Sequence, residues 1–481
     1  YLYSSFVTTG EASTLFHPPP SEALGLQAQV DSMPIMAMPD SRSDRDLYLG
    51  HIINGERARV TDARFGIDLN ELTHVLIQGV TGLGKTTTAM RLMEQAVRMD
   101  KQIVSTPTVE NPMVEVKNAR AGLLVLDWMQ NARNLASVVE PERFQLFSVS
   151  HPELGAFRFN PLAVPHAKMD PGQWSGAQAD NLASSFGLGQ YGRSIISELL
   201  DFLYTANRLE ETVLRPAVLD DYTGEILRNS LILPAISRSD LPEDAVQYDA
   251  SGKPYANVYT HSPLSRLVGL THLAVLVSSK VEEAASQEGG RMMGTEMRNR
   301  LQSVWRRIQY YTPGNPLANM VTPDPSLDIR ECLGVTDLID PDRGLVTVIE
   351  TDGLDVENRR VVLGSVMLAV YRYGLQEGNG CYDHGGKGPG TFIVLEEAHE
   401  LLGEAGETED RDSAGMRTAL YESLFRRARA TGLRLVVMTQ NCGQIPSAIT
   451  SQTTTVFTHR TYDDKDRQRI FSLLNWSNMI G

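Results

Sequence analysis

Apolar residues along this chain fall into two textures. Short apolar runs rich in Val, Ile, Leu or Thr at 74–78, 122–127, 344–350, 391–396, 433–439 and 454–460 predict strands, and runs this continuous suit a parallel sheet covered on both faces. Helical spacing falls between most of them. Met90, Met93, Ala96 and Val97 share one side of a helix after the first strand, and 357–373 is apolar enough to lie against the sheet. From about Leu47 the alternation predicts an α/β fold with a mostly parallel sheet. Between roughly Pro165 and Ile329 the alternation stops. There Ile195, Ile196, Leu199, Leu200 and Leu203, then Met297, Leu301, Val304, Trp305 and Ile308, recur at helical spacing. The expected organisation is an extended arm or linker over 1–46, rich in Pro and Ser, a core whose first part is 47–164, a mostly helical insertion over 165–329, and the second part of the core over 330–481.

Composition narrows the class only a little. The 481 residues, 42% hydrophobic and 21% charged, are those of an ordinary globular protein. No apolar run reaches the eighteen or so residues of a membrane span, and the best, 267–277, is interrupted by Thr271 and His272. Cys332, Cys381 and Cys442 are scattered without a CxxC spacing, so a reducing, cytoplasmic setting is expected rather than a disulfide framework or zinc knuckle. The formal charge of −15 excludes a surface that is basic all over, yet leaves room for a local basic patch. A start at Tyr1 rather than Met is what a fragment of a longer chain would show.

The chemistry begins at Gly79-Val80-Thr81-Gly82-Leu83-Gly84-Lys85-Thr86, a Walker A pattern that follows a predicted strand and opens a predicted helix. Gly79, Gly82 and Gly84 let the backbone curl so that its N–H groups face an anion at the helix start. Lys85 is the residue expected to reach the β and γ phosphates of ATP. Thr86 is expected to give its hydroxyl to Mg2+, and Thr81 and Thr87 join the nucleotide-binding set. A second motif closes an apolar strand with two carboxylates, Glu396 and Glu397. Glu396 is placed to hold Mg2+, and Glu397 to orient and deprotonate an attacking water. Gln440 ends the strand at 433–439, where a sensor of the γ phosphate and a plain surface amide are both open readings. His399 is either a phosphate sensor or a helix-start residue packed beside the strand. Arg426, Arg427 and Arg429 lie together on a predicted helix, either as a solvated face or as the source of an arginine finger.

These stretches, from Leu49-Gly50-His51 through the glycine loop, Phe159-Asn160-Pro161-Leu162, Glu396-Glu397-Ala398-His399 and Thr431-Gly432-Leu433 to Thr439-Gln440, resemble the HerA/FtsK superfamily, with conjugative coupling and secretion ATPases as close relatives. The resemblance implies a RecA-like P-loop NTPase core with a mostly parallel sheet and a helical insertion. It implies Gln440 as sensor, and Arg426, Arg429 and Arg460 as residues reaching nucleotide at a subunit boundary. It also implies a hexameric ring that translocates DNA as an ATP-driven, helicase-like motor. The segment Leu15-Phe16-His17-Pro18-Pro19 resembles one in mobile-element members, which hints at plasmid transfer or phage defence. Asp127 followed by Trp128-Met129-Gln130 departs from the family's usual small or charged turn. No nuclease metal cluster is evident, so a nuclease or other effector would be a separate partner. Candidate pore segments are 377–390 and 403–414, where Lys387 and Arg411 carry the positive charge, although plain solvated connections have the same composition. Two other function classes stand beside the translocase: a secretion or assembly ATPase moving protein, which the acidic balance suits, and a nucleotide-switched scaffold.

Overall fold

The computed structural model describes residues 5–7, 47–54, 59–69, 72–104, 116–205, 208–210, 213–215, 242–248, 250–252, 254–259, 261–286, 295–321, 326–333, 344–376, 390–403, 411–428 and 431–473. In chain order the first strands are β1 (Ser5–Val7), the antiparallel pair β2 (Leu47–Asn54) and β3 (Arg59–Ile67), and β4 (His74–Gln78). A second hairpin, β5 (Lys101–Val104) with β6 (Val116–Ala119), precedes β7 (Gly122–Asp127) and β8 (Phe144–Ser148). Four short strands, β9 (Arg208–Glu210), β10 (Val213–Arg215), β11 (Gln247–Tyr248) and β12 (Pro254–Tyr255), make a small antiparallel sheet. The last four are β13 (Val346–Glu350), β14 (Thr391–Leu395), β15 (Leu433–Thr439) and β16 (Thr455–Thr458).

Eight of these strands build one sheet in the order β1-β16-β4-β15-β14-β7-β13-β8, and every pair in it is parallel. All six strands expected from the apolar runs are in this sheet. The runs carry no visible alternation because both faces are covered, and the alternation emerges only in packing. Leu76, Leu124, Leu126, Ile393, Leu395, Leu435 and Val437 enter one core. Their neighbours Val75, Ile77, Leu123, Val125, Phe392, Val394 and Val436 enter the other.

The helices divide unequally between the faces. On the second face lies α1 (Lys85–Arg98), which buries Ala89, Leu92, Met93, Ala96 and Val97 against the sheet. The first face takes α2 (Pro171–Ser185), α3 (Gly189–Thr205), α4 (Leu270–Ser286), α5 (Thr295–Ile308), α6 (Val356–Gln376) and α7 (Arg411–Ala428). Trp174, Leu182, Ile196 and Leu200 from the helical stretch share one core with Val366 and Leu424. Residues 165–329 therefore supply much of a layer of the core, a consequence of wide apolar stripes that need the sheet to cover them. Asp170 caps the start of α2, its side chain accepting from the Gln173 N–H at 2.7 Å. A final helix, α8 (Asp464–Leu473), follows β16. Of the arm expected over 1–46, Ser5–Val7 is described and lies as an edge strand beside β16; residues 8–46 are outside the described residues.

Candidate active site

Parallel pairing sends every strand's end to the same edge. Gln78 is in register with Thr439, and Leu395 with both Val437 and Leu126. The residues that follow, Gly79, Gln440, Glu396 and Asp127, consequently leave the sheet side by side, in the crevice where open α/β sheets bind ligands.

The loop after β4 depends on its glycines. Gly79 has φ 154°, and a Cβ there would stand 2.4 Å from the His459 Cβ. Gly82 and Gly84 have φ 81° and 94°, the left-handed region that favours glycine. Gly84 caps α1 without a side-chain hydrogen bond, and no acidic residue occupies the first turn. The helix therefore presents its unpaired N–H groups and positive dipole end to whatever the loop encloses. The Val80 N–H is tied to the Arg460 carbonyl at 3.1 Å, and the Thr88 hydroxyl lies 3.1 Å from His459 Nε2.

Lys85 is buried, with 7% of its surface exposed. Burial lowers its pKa, while the carboxylates of Glu397 and then Glu396 act to raise it. Glu396 is buried as well, and neither of its oxygens has a hydrogen-bond partner among the described residues, although Asp127, Trp128 and Asn131 lie close enough to act on it electrostatically. Burial first, and the Asp127 carboxylate next, push its pKa up. Asp127, fully buried, accepts from the N–H groups of Met129 at 2.8 Å and Ala132 at 2.7 Å. Two orphaned carboxylate oxygens beside a second buried carboxylate form a hard-oxygen locus that suits a small divalent cation. Among the described residues no three His, Cys, Asp or Glu side chains converge into a protein-only metal cage. Mg2+ has no need of one, since it is ordinarily bound by one or two carboxylates with phosphates and water.

Glu397 adopts φ 42°, a left-handed conformation that a non-glycine residue rarely holds. Its Oε1 accepts from Gln440 Nε2 at 2.6 Å, and Gln440 Oε1 accepts the Thr81 hydroxyl at 2.5 Å. Glu397 Oε2 has no hydrogen-bond partner among the described residues. His399 lies beside it, Nδ1 3.4 Å from that oxygen and 3.3 Å from the Thr439 hydroxyl. The arrangement can cradle a polyanion, neutralise it with Lys85 and offer a free carboxylate oxygen to a water.

Gly79, Thr81, Gly82, Gly84, Lys85, Glu396, Glu397 and Gln440 thus meet in one place, and Thr86, half-buried, and Thr87, exposed, follow in the first turn of α1. Arg460 leaves β16 at the same edge, exposed, its guanidinium 4.7 Å from the Tyr462 ring centroid. Arg426 does not join them. Near the end of α7, it follows Phe425, whose carbonyl pairs with His74 at the start of β4; this is the opposite edge of the sheet, and Arg426 is there ion-paired with Glu422. Arg429 and the segments 377–389 and 404–410 lie outside the described residues. Sequence reasoning passed over two residues of the site, Asp127 and His459. Asp127 carried the sign that marked Glu396, an acid closing an apolar strand, whereas His459 has no local signature.

The glycine loop at the head of a parallel sheet defines a P-loop ATPase core. Residues 47–130 match the family model of the central domain of helicase HerA, about a sixth of the chain. That stretch is similar to P-loop ATPases of HerA/FtsK type. VirB4 of Thermoanaerobacter pseudethanolicus shares the fold at a TM-score of 0.52 and 12% identity, over 92% of this chain and 91% of that one. The plasmid coupling protein TrwB with the non-hydrolysable ATP analogue ADPNP aligns at 0.43 and 13%, over 91% and 79%, and TrwB with ADP and Mg2+ at 0.42 and 12%, over 85% and 70%. No curated protein matches the sequence. No helix among the described residues is long and apolar enough to cross a membrane.

Proposed function

We propose that this chain binds and hydrolyses Mg-ATP at the sheet edge and uses the turnover, as a hexameric ring of identical copies, to move DNA. The observation that carries the hydrolytic part is the buried Lys85 facing Glu396 and Glu397 beneath a glycine loop that opens a helix with no side-chain cap and no acidic residue in its first turn. The loop and Lys85 hold the phosphates. Thr86 and Glu396 are the residues that would hold Mg2+, which when bound draws negative charge off the phosphate oxygens. Glu397, with Oε1 tied to Gln440, leaves Oε2 to orient the attacking water and take its proton.

The ring rests on position. Arg426 sits at the sheet edge away from its own Lys85, so it serves as an arginine finger only toward a neighbouring copy, after release from Glu422. Arg460, exposed beside the loop, belongs to the same boundary in this reading. The formal charge of −15 favours a second reading, a ring that moves protein.

ATP turnover of the wild type and of Glu397→Gln, with and without linear duplex DNA, beside the particle mass with nucleotide, tests this. Turnover raised by DNA in a ring, and lost in the variant, is the expected result. Turnover that ignores DNA would move the assignment to the protein-moving class, and turnover that survives Glu397→Gln would remove the proposed base.

A further inference from the structure

We infer that Thr81, through its hydroxyl, is a positioning residue for the hydrolytic carboxylate: it orients the Gln440 amide, and that amide in turn holds Glu397. The inference rests on the ATPase reading and adds a role that the glycine loop does not need for holding phosphate.

The three side chains form a chain with only one consistent sense. A carboxylate such as Glu397 only accepts, so the amide end of Gln440 that faces it at 2.6 Å is the NH2. The oxygen end is then turned toward Thr81, whose hydroxyl donates to it at 2.5 Å. Thr81 therefore selects between the two flips of an amide whose terminal torsion is broad by nature. With the hydroxyl gone, nothing else in these contacts holds the Gln440 oxygen, and the amide swings.

The consequence falls on Glu397. Its backbone stands in the left-handed region, which a side chain occupies only where the surroundings hold it. Gln440 grips one of its oxygens and leaves the other for water. A loosened amide lets that carboxylate wander, and a small misplacement at a reacting centre slows chemistry more than it weakens binding. Thr81 itself is exposed, at the tip of the loop, so removing its hydroxyl disturbs no core packing. The relay also runs from the loop that encloses phosphate to the carboxylate that acts on water, across the tip of β15, which separates β4 from β14 in the sheet.

The test is Thr81→Val, which keeps the branched shape and deletes the hydroxyl, beside Thr81→Ser, which restores it. Turnover and KM for ATP are measured for both, with Kd for ADP by calorimetry. We expect kcat to fall about tenfold in Thr81→Val, with KM and Kd unchanged, and to recover in Thr81→Ser. The double variant Thr81→Val with Gln440→Ala should turn over no more slowly than Gln440→Ala alone, because one hydrogen bond cannot be lost twice. Unchanged kcat in Thr81→Val, equal impairment of Val and Ser, a loss confined to KM and Kd, or additive losses in the double variant would each overturn the inference. A wild type that fails to turn over ATP sinks the ATPase reading instead, so the two failures are told apart.

Discussion

Replacing Glu396 by Gln should make the ligand-free protein more stable while taking away the stabilisation that nucleotide with Mg2+ provides. In the absence of ligand Glu396 is a buried carboxylate with both oxygens unbonded among the described residues and Asp127 as an anionic neighbour. Lys85 offsets part of that cost: burial lowers its pKa, and Glu397 and then Glu396 act against that lowering. Replacing buried ion pairs by neutral residues of similar volume gains about 1–4 kcal/mol, and the same range is expected for this partly compensated carboxylate. The sign with pH follows from the raised pKa. Below the usual carboxylate value Glu396 is protonated in both folded and unfolded chains, and its stability contribution is fully present. As pH climbs through the raised folded value the unfolded chain releases the proton first and that contribution is lost. Denaturant midpoints in EDTA should therefore show the variant ahead of the wild type at pH 8 and level with it near pH 4. Saturating ADP with Mg2+ should reverse the order at pH 8, since only the wild type gains the full binding stabilisation. A variant less stable than the wild type in EDTA at every pH would refute the reasoning, for it would mean that the Glu396 carboxylate is well satisfied without a ligand.

Gly79→Ala should weaken ADP binding far more than Gly82→Ala: the first places a Cβ 2.4 Å from the His459 Cβ, the second meets nothing within 4 Å and bears only the strain of φ 81°. Strain and overpacking of about 1–3 kcal/mol correspond to a 5- to 150-fold loss at Gly79, and calorimetry showing Gly82 to be the more sensitive position would contradict the loop geometry. Trp174→Ala should destabilise the whole ATPase core by about 3–5 kcal/mol, since Trp174 is fully buried in the cluster that α2 shares with the sheet. An unchanged denaturation midpoint would mean instead that the helices of 165–329 fold as a separate body.

Much of the candidate site was legible in the sequence because it is local. A strand, a glycine loop and a helix run consecutively from His74 to Arg98, and their geometry follows from neighbours in the chain. The apolar runs marked six strands of the large sheet for the same reason, and two carboxylates closing β14 announced themselves without any knowledge of what lies beside them. The hairpins β2–β3 and β5–β6 and the strand β8 escaped notice because their residues are mixed and polar, with no sustained apolar run.

What only the tertiary structure decided is adjacency. The order of strands is set by which faces and edges pack best over hundreds of residues, and no spacing along the chain encodes it. That order inserts β15 between β4 and β14, so Gln440 meets both Thr81 and Glu397, from 359 and 43 residues away in sequence. It sets β7 against β14, which buries Glu396 and places Asp127 beside it, and burial first and that neighbour second raise the Glu396 pKa. It brings His459 beneath Gly79, and it leaves Arg426 at the far edge of its own sheet. Sequence alone nominated the candidate groups, because each motif's backbone shape is local; the packed sheet settled which of them touch, because contact across strands is a property of the whole core.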